Sequence, residues 1–197
     1  MFTLDRLRSF APNSKPELRQ AFVAGMADIV KAGITTPIRA RHFMAQIATE
    51  TGGLSAIEEN LNYSAERLHQ VWPTRFPTVS SAQPYAHNPQ ALANRVYRNR
   101  LGNGGTSSND GWNFRGGGML QTTGRDNYRR AGHEADPAAL RTPLPALLAA
   151  LKFWSDHGCN ALADQDAMMG LRKVINGGTN GLEDCRTWLS KAKGIFV

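Results

Sequence analysis

Along the 197-residue chain, apolar positions recur at helical spacing between short polar breaks, and no convincing strand alternation occurs. Leu4 to Phe10 predicts a short helix. Ser14-Lys15-Pro16-Glu17 matches a capping box and opens a helix through Ala21, Phe22, Met26, Ile29 and Val30, ending at Gly33. Thr36 as N-cap and Pro37 at the first helical position start another. Its stripe is Ala40, Phe43, Met44, Ile47, Ala48 and Thr51, and Gly52-Gly53 ends it. Ser64 caps a short helix through Leu68 and Val71. The section from Trp72 to Asn88, rich in Pro, Ser and Thr, has no period, and Asn88-Pro89 restarts a helix through Leu92, Val96 and Tyr97. Thr142-Pro143 caps the apolar run L-P-A-L-L-A-A-L-K-F-W, ending at Gly158. Asp166 to Ile175 forms a further helix, and Asn180-Gly181-Leu182-Glu183 resembles a capping box for the last, through Trp188 and Leu189. The pattern predicts a mainly α fold with little β, one domain over residues 1–197. A smaller lobe lies within it at about residues 64–100, with no separate wall-binding domain.

The section Gly102 to Gly124 carries eight glycines together with Trp112, Phe114, Met119 and Leu120. A flexible linker has no use for those apolar side chains, so a shaped loop is expected. It contains neither G-x-x-x-x-G-K-[ST] nor G-x-G-x-x-G, which leaves a nucleotide-phosphate cradle unsupported. Net charge is +7, and between Arg95 and Arg130 seven arginines face two aspartates. Such a bias suits a polyanionic neighbour: nucleic acid, an anionic envelope polymer or lipid headgroups. Helix-turn-helix, zinc-finger and RNP signatures are lacking, so no nucleic-acid partner is expected. His42, His69, His87, His133 and His157 form no metal motif, and neither metal nor cofactor is expected. Cys159 and Cys185 are expected to be free, partly buried thiols. The amino terminus lacks a secretory signal, and no apolar run approaches membrane-spanning length. The expectation is synthesis in the cytoplasm.

Candidate chemistry centres on Q-I-A-T-E-T-G-G-L-S-A-I-E-E-N-L-N-Y-S, residues 46–64, with Glu50, Glu58 and Glu59. In one continuous helix Glu50 and Glu59 would lie roughly 13 Å apart along the axis, on opposite faces. Gly52-Gly53 lets the chain fold back and present a second carboxylate to the first. Inverting glycosidases use a gap of about 6.5–9.5 Å, wide enough for a water. Glu50, at the edge of the apolar stripe and in the last helical turn, meets burial and the negative helix end, both of which favour a protonated acid. The same residues also fit a solvated glutamate beside a capping glycine.

Four blocks, A-Q-I-A-T-E-T-G-G, E-N-L-N-Y-S-A, D-G-W-N-F-R-G-G-G-M-L-Q-T-T-G-R-D-N-Y and I-N-G-G-T-N-G, together resemble the family-19 glycoside hydrolases over about residues 36–190. They are most similar to that family's phage-type endolysins. The resemblance implies a lysozyme-like helical bundle in two lobes around a cleft, and inverting hydrolysis of β-1,4 bonds in peptidoglycan glycan strands. It implies Glu50 as general acid, Glu59 as general base, and Thr123 as the hydroxyl orienting the attacking water. It places Gln121, Asn127, Tyr128 and Asn176 on substrate-cleft positions, with Tyr63, Trp112, Arg115 and Arg186 as further substrate contacts. Trp112 is equally suited to stacking on a sugar or to packing in the core. The implied enzyme is a monomer acting on the cell wall after release, with electrostatic association to anionic envelope polymers.

Departures from the family pattern are Gly117, where related endolysins carry arginine, and Cys185, where an arginine often follows Asp184. Arg186 is the neighbouring candidate to replace the latter. Thr49 stands where the family's chitinases often have histidine, which leans toward the endolysin branch. Alternatives are a chitinase, a lytic transglycosylase using one glutamate, and an inactive glycan-binding relative.

Overall fold

The computed structural model describes residues 1–197. In chain order the helices are α1 (Leu4–Phe10), α2 (Pro16–Ala24), α3 (Met26–Lys31), α4 (Pro37–Thr51), α5 (Ala65–Val71), α6 (Val79–Ala82), α7 (Pro89–Val96), α8 (Asp110–Asn113), α9 (Arg125–Ala131), α10 (Pro143–Asp156), α11 (Cys159–Asp164), α12 (Met168–Asn176) and α13 (Leu182–Lys193), with three short 3₁₀ turns. The fold is mainly α. There is no sheet, only isolated antiparallel bridges pairing Gly117 with Glu58 and with Thr122. No helix is long and apolar enough to cross a membrane.

The chain divides into two compact units. The first comprises Met1–Ile57, Gly118–Gln121 and Ala139–Val197, the second Glu58–Gly117 and Thr122–Ala138. In the first, α4 is the central element. Phe43, Met44 and Ile47 are fully buried among Phe2, Phe10, Phe22, Leu147, Trp154 and Phe196, and α13 packs along α4. The Trp154 ring meets Phe43 edge-on at 5.2 Å, and its indole N–H donates to Asn160 Oδ1 at 2.8 Å, so burying it leaves no donor unmade. In the second unit Leu61, Ala65, Leu68, Phe76, Ala82, Leu92, Ala93 and Val96 form a separate core.

Several predicted boundaries differ from the structure. The helix expected to run to Gly33 breaks at Gly25, because α10 passes so close that a Cβ there would stand 2.8 Å from Leu147 Cδ2. Two predicted capping boxes do not form. Ser14 donates instead to the Ala11 carbonyl, with Lys15 at the cap of α2, and left-handed Gly181 is the cap residue of α13. Helix α12 starts at Met168, since Asp166 is held at φ 51°.

Asp166 is held by His42. The His42 ring is fully buried, with Nε2 2.7 Å from Asp166 Oδ1 and Nδ1 without a hydrogen-bond partner. Burial outweighs the Asp166 carboxylate and lowers the His42 pKa below its ordinary value. The unfolded chain therefore binds the proton more readily than the folded one. Stability is expected to be complete above about pH 6.5 and to fall as pH drops toward the lowered folded value. Urea melts at stepped pH should show this loss, and H42Q should flatten it. A wild-type loss that persists unchanged in H42Q would assign it to other groups.

Candidate functional site

Within the first unit, the end of α4 is fixed by local chemistry. The Thr36 hydroxyl accepts from the Arg39 N–H at 3.4 Å, and Gly52, at φ 57° and ψ 48°, closes the helix. Gly53 follows at φ 73°, and a Cβ on it would stand 2.9 Å from the Trp188 ring. The glycine pair thus serves both a left-handed turn and a close approach by α13.

Glu50 sits in that last turn with its side chain 12% exposed, and its Oε1 accepts a 2.5 Å hydrogen bond from Arg172 Nη1. Arg172 was not anticipated from the sequence. Its side chain is 4% exposed, and it also donates to Gln46 Oε1 at 3.3 Å and, through Nε, to the Asn180 carbonyl at 2.5 Å. Glu50 thus meets a guanidinium as well as burial and the negative helix end. The network continues through Cys185, whose Sγ is 3.3 Å from Gln46 Oε1 and accepts from the Thr49 hydroxyl at 3.1 Å. Burial pushes the Cys185 thiol pKa up, so it remains an S–H that can donate to Gln46. Cys159 is also free and buried, its thiol pushed up to about 12 by burial.

Arg186 does not reach this cluster. It is exposed and pairs with exposed Glu183. Asn176, the last residue of α12, is exposed, and Gln121 takes φ 50° in the short segment of the first unit that also buries Met119.

The second unit positions Glu58 and Glu59 differently. Glu59 is half-buried: Oε1 accepts from the Gly116 N–H at 2.6 Å and Oε2 from the Tyr97 hydroxyl at 2.7 Å. Its own N–H donates to the Gly116 carbonyl at 3.0 Å, pinning its backbone to the glycine-rich loop. Tyr97, another residue missed in sequence, has its pKa raised by burial and then by the Glu59 carboxylate, so it stays a donor. Glu58, by contrast, has both Arg115 Nε and Nη2 on one oxygen, at 2.7 and 2.5 Å. The Arg115 guanidinium also lies 3.6 Å from the Trp112 ring centroid.

These contacts define the glycine-rich loop as a shaped element. Asp110, only 3% exposed, is its hub, accepting from the Gly104 N–H at 2.8 Å and from Arg125 at 2.5 and 3.1 Å. Burial alone would raise the Asp110 pKa, but Arg125 and the Gly104 N–H outweigh it and hold it low. A Cβ on Gly111 would stand 2.4 Å from the Ala93 carbonyl, so only glycine lets α8 approach α7.

Of the remaining predicted contacts, Tyr128 is fully buried, and its hydroxyl braces the loop by donating to the Arg115 carbonyl at 2.6 Å. Arg115 is itself nearly buried and engaged with Glu58. Trp112 is half-buried against the second core and carries Arg115 on its ring. Tyr63 is half-buried, edge-on to Trp72 at 5.5 Å. The Thr123 carbonyl accepts from Asn127 Nδ2 at 2.8 Å. No group of three or more His, Cys, Asp or Glu is arranged to hold a metal ion.

The architecture is similar to that of chitinase C from Streptomyces griseus HUT6037, with a TM-score of 0.65 and 17% identity, covering 99% of this chain and 76% of that one. A mutant chitinase C gives the same TM-score at 16% identity and the same coverage. These likenesses define a chitinase-type fold. In sequence, a glycosyl hydrolase family 19 domain-containing protein from Haemophilus influenzae is 36% identical over 172 residues, 85% of this chain and 84% of that protein. The chain belongs to glycosyl hydrolase family 19. No protein-family model matches it.

Proposed function

We propose that the protein hydrolyses β-1,4 glycosidic bonds of bacterial peptidoglycan, with Glu50 as general acid and Glu59 as general base. Glu50 gives a proton to the leaving glycosidic oxygen. Glu59 takes one from a water that attacks the anomeric carbon from the opposite side, so one C–O bond breaks, another forms and the configuration inverts. The observation that carries this reading is the contrast between the two neighbouring carboxylates. Glu58 is committed to a guanidinium, whereas Glu59 is oriented by a backbone N–H and a neutral hydroxyl. A base held by such donors keeps lone pairs for a water. On the acid side, Arg172 pairs with Oε1 of Glu50 at rest, and the proton that Glu50 takes up before each turnover is carried on Oε2, the oxygen Arg172 leaves open. Thr123 orients the water, and Gln121, Asn127 and Asn176 contact the glycan.

A positive net charge favours the anionic wall over neutral chitin as the polymer on which the enzyme acts. We place its action at the wall after synthesis in the cytoplasm and release. Purified peptidoglycan and chitin oligomers should be digested in parallel, with products read by mass spectrometry and by NMR of the new anomeric centre. Hydrated reducing ends in the α configuration, formed faster from peptidoglycan, are expected. Anhydro ends would make the enzyme a lytic transglycosylase, and preferential chitin cleavage would make it a chitinase.

Tyr97 acts as a positioning residue through Glu59. Removing its hydroxyl in Y97F deletes one of two donors and is expected to lower kcat by about tenfold while leaving KM near the wild-type value. A rise in KM at unchanged kcat would assign Tyr97 to glycan binding.

A further inference from the structure

We infer that the second unit carries a binding site for phosphate groups of an extended polyanion, in a groove lined by Arg75, Arg95, Arg98 and Arg100. Of the seven arginines between Arg95 and Arg130, four are engaged within the unit. Arg115 holds Glu58, Arg125 holds Asp110 and Glu134, Arg129 holds Glu134 and Asp126, and Arg130 holds Asn127. The other three, with Arg75, line one groove of about 190 Å³ together with Thr74 and Val96. None of these four forms an ion pair or a side-chain hydrogen bond, and no acidic side chain lines the groove.

Four guanidiniums around one concavity repel one another, and the fold relieves none of that repulsion with a carboxylate. The same unit does so readily elsewhere, where buried Asp110 meets Arg125. The groove is also preorganised. Phe76 and Val96, adjacent in sequence to Arg75 and Arg95, are buried in the second core. The segment bearing Arg98 and Arg100 is tied down by the Asn103 side chain on the Tyr97 carbonyl at 3.0 Å and by the Asn99 N–H on the Gly104 carbonyl at 3.0 Å.

Arginine forks match phosphate oxygens, and a tetrahedral phosphate accepts donors from several directions at once, where a carboxylate presents its lone pairs in one plane. Four positive charges exceed what one phosphate neutralises, so the ligand carries repeated phosphates. The site holds the enzyme on a phosphate-rich polymer and goes beyond the hydrolytic reading, because it would stand for any glycan the carboxylates cut.

The test is equilibrium binding of the full chain to linear inorganic polyphosphate, with anionic phospholipid vesicles and a neutral chitin oligosaccharide as parallel arms. Polyphosphate should bind with strong salt dependence. R98Q/R100Q should weaken binding roughly tenfold per arginine removed. It should also reduce the slope of log K against log salt by about 0.7 per arginine, as for a single-stranded polyanion. Thermal melts accompany each variant, and R75Q and R98Q repeat the comparison with one exchange each. R8Q/K31Q removes two exposed charges from the first unit and should leave binding within about twofold of wild type. Equal weakening by R8Q/K31Q would reduce the effect to net charge and overturn the site. Binding to vesicles but not to polyphosphate would overturn the assignment in favour of a lipid surface.

Discussion

E59Q is expected to lower hydrolysis of peptidoglycan by roughly 10²–10⁴-fold, the usual worth of a positioned acid or base, with the melting temperature little changed. The amide keeps the shape: its oxygen can accept from the Gly116 N–H and its NH2 can donate to the Tyr97 hydroxyl, which turns to accept, but it cannot take a proton from water. E50Q should lose activity to a similar extent, because an amide has no proton to deliver at neutral pH. E58Q should behave differently. It weakens the clamp on the nearly buried Arg115 guanidinium and should lower the melting temperature, but its amide oxygen still accepts from Arg115 and most activity should be retained. Initial rates on purified peptidoglycan, alongside melts, measure all three. Activity surviving in E59Q but lost in E58Q would transfer the base to Glu58 and remove the central reason for the mechanism.

The second large effect is expected at Arg172. R172M removes the cation from a carboxylate that is almost entirely out of water, leaving Glu50 uncompensated, the Asn180 carbonyl without its Arg172 donor and Gln46 Oε1 with only the weak Cys185 thiol. Breaking such a buried pair costs roughly 3–5 kcal/mol. The double variant R172M/E50Q is the informative control, because it removes the orphaned charge as well. Denaturant melts should show it recovering much of the stability that R172M loses, while remaining inactive. If the double variant is no more stable than R172M, the loss comes from packing and the ion pair is not its source. R172K, which keeps a charge but not the fork, should fall between wild type and R172M in both stability and rate.

What could be read in sequence was what is decided within a few residues. Thr36, Pro37 and Gly52 bound α4 as expected because a cap, a proline and a left-handed glycine act locally. The break at Gly25 was illegible because its cause, the Leu147 side chain, arrives from α10. Arg172 escaped for the same reason. It lies 122 residues from Glu50, and in M-M-G-L-R-K-V-I-N nothing distinguishes it from an ordinary surface arginine except its place next to Leu171 on the buried side of the helix. Arg186 drew attention because it stands beside the position where relatives often carry arginine. Cys185 fills that position, buried, and the guanidinium reaches Glu50 from another helix. Tyr128 entered through the resemblance alone, and nothing in R-D-N-Y shows that its hydroxyl satisfies a buried carbonyl 13 residues earlier. The charge bias from Arg95 to Arg130 was visible as a sum. Its division into spent and unspent guanidiniums needed coordinates.

The first unit is interrupted in sequence by the whole of the second, and this bears on synthesis. Helices α1 to α4 leave the ribosome before the second unit, yet Leu147, Trp154 and Phe196, which cover their apolar faces, are translated after it. Residues 58–138 emerge while Phe10, Phe22 and Phe43 still lack those partners, a nascent state prone to aggregation. Chains terminated before α10 would keep that exposure permanently, making them substrates for holdase chaperones and proteases while full-length chains escape.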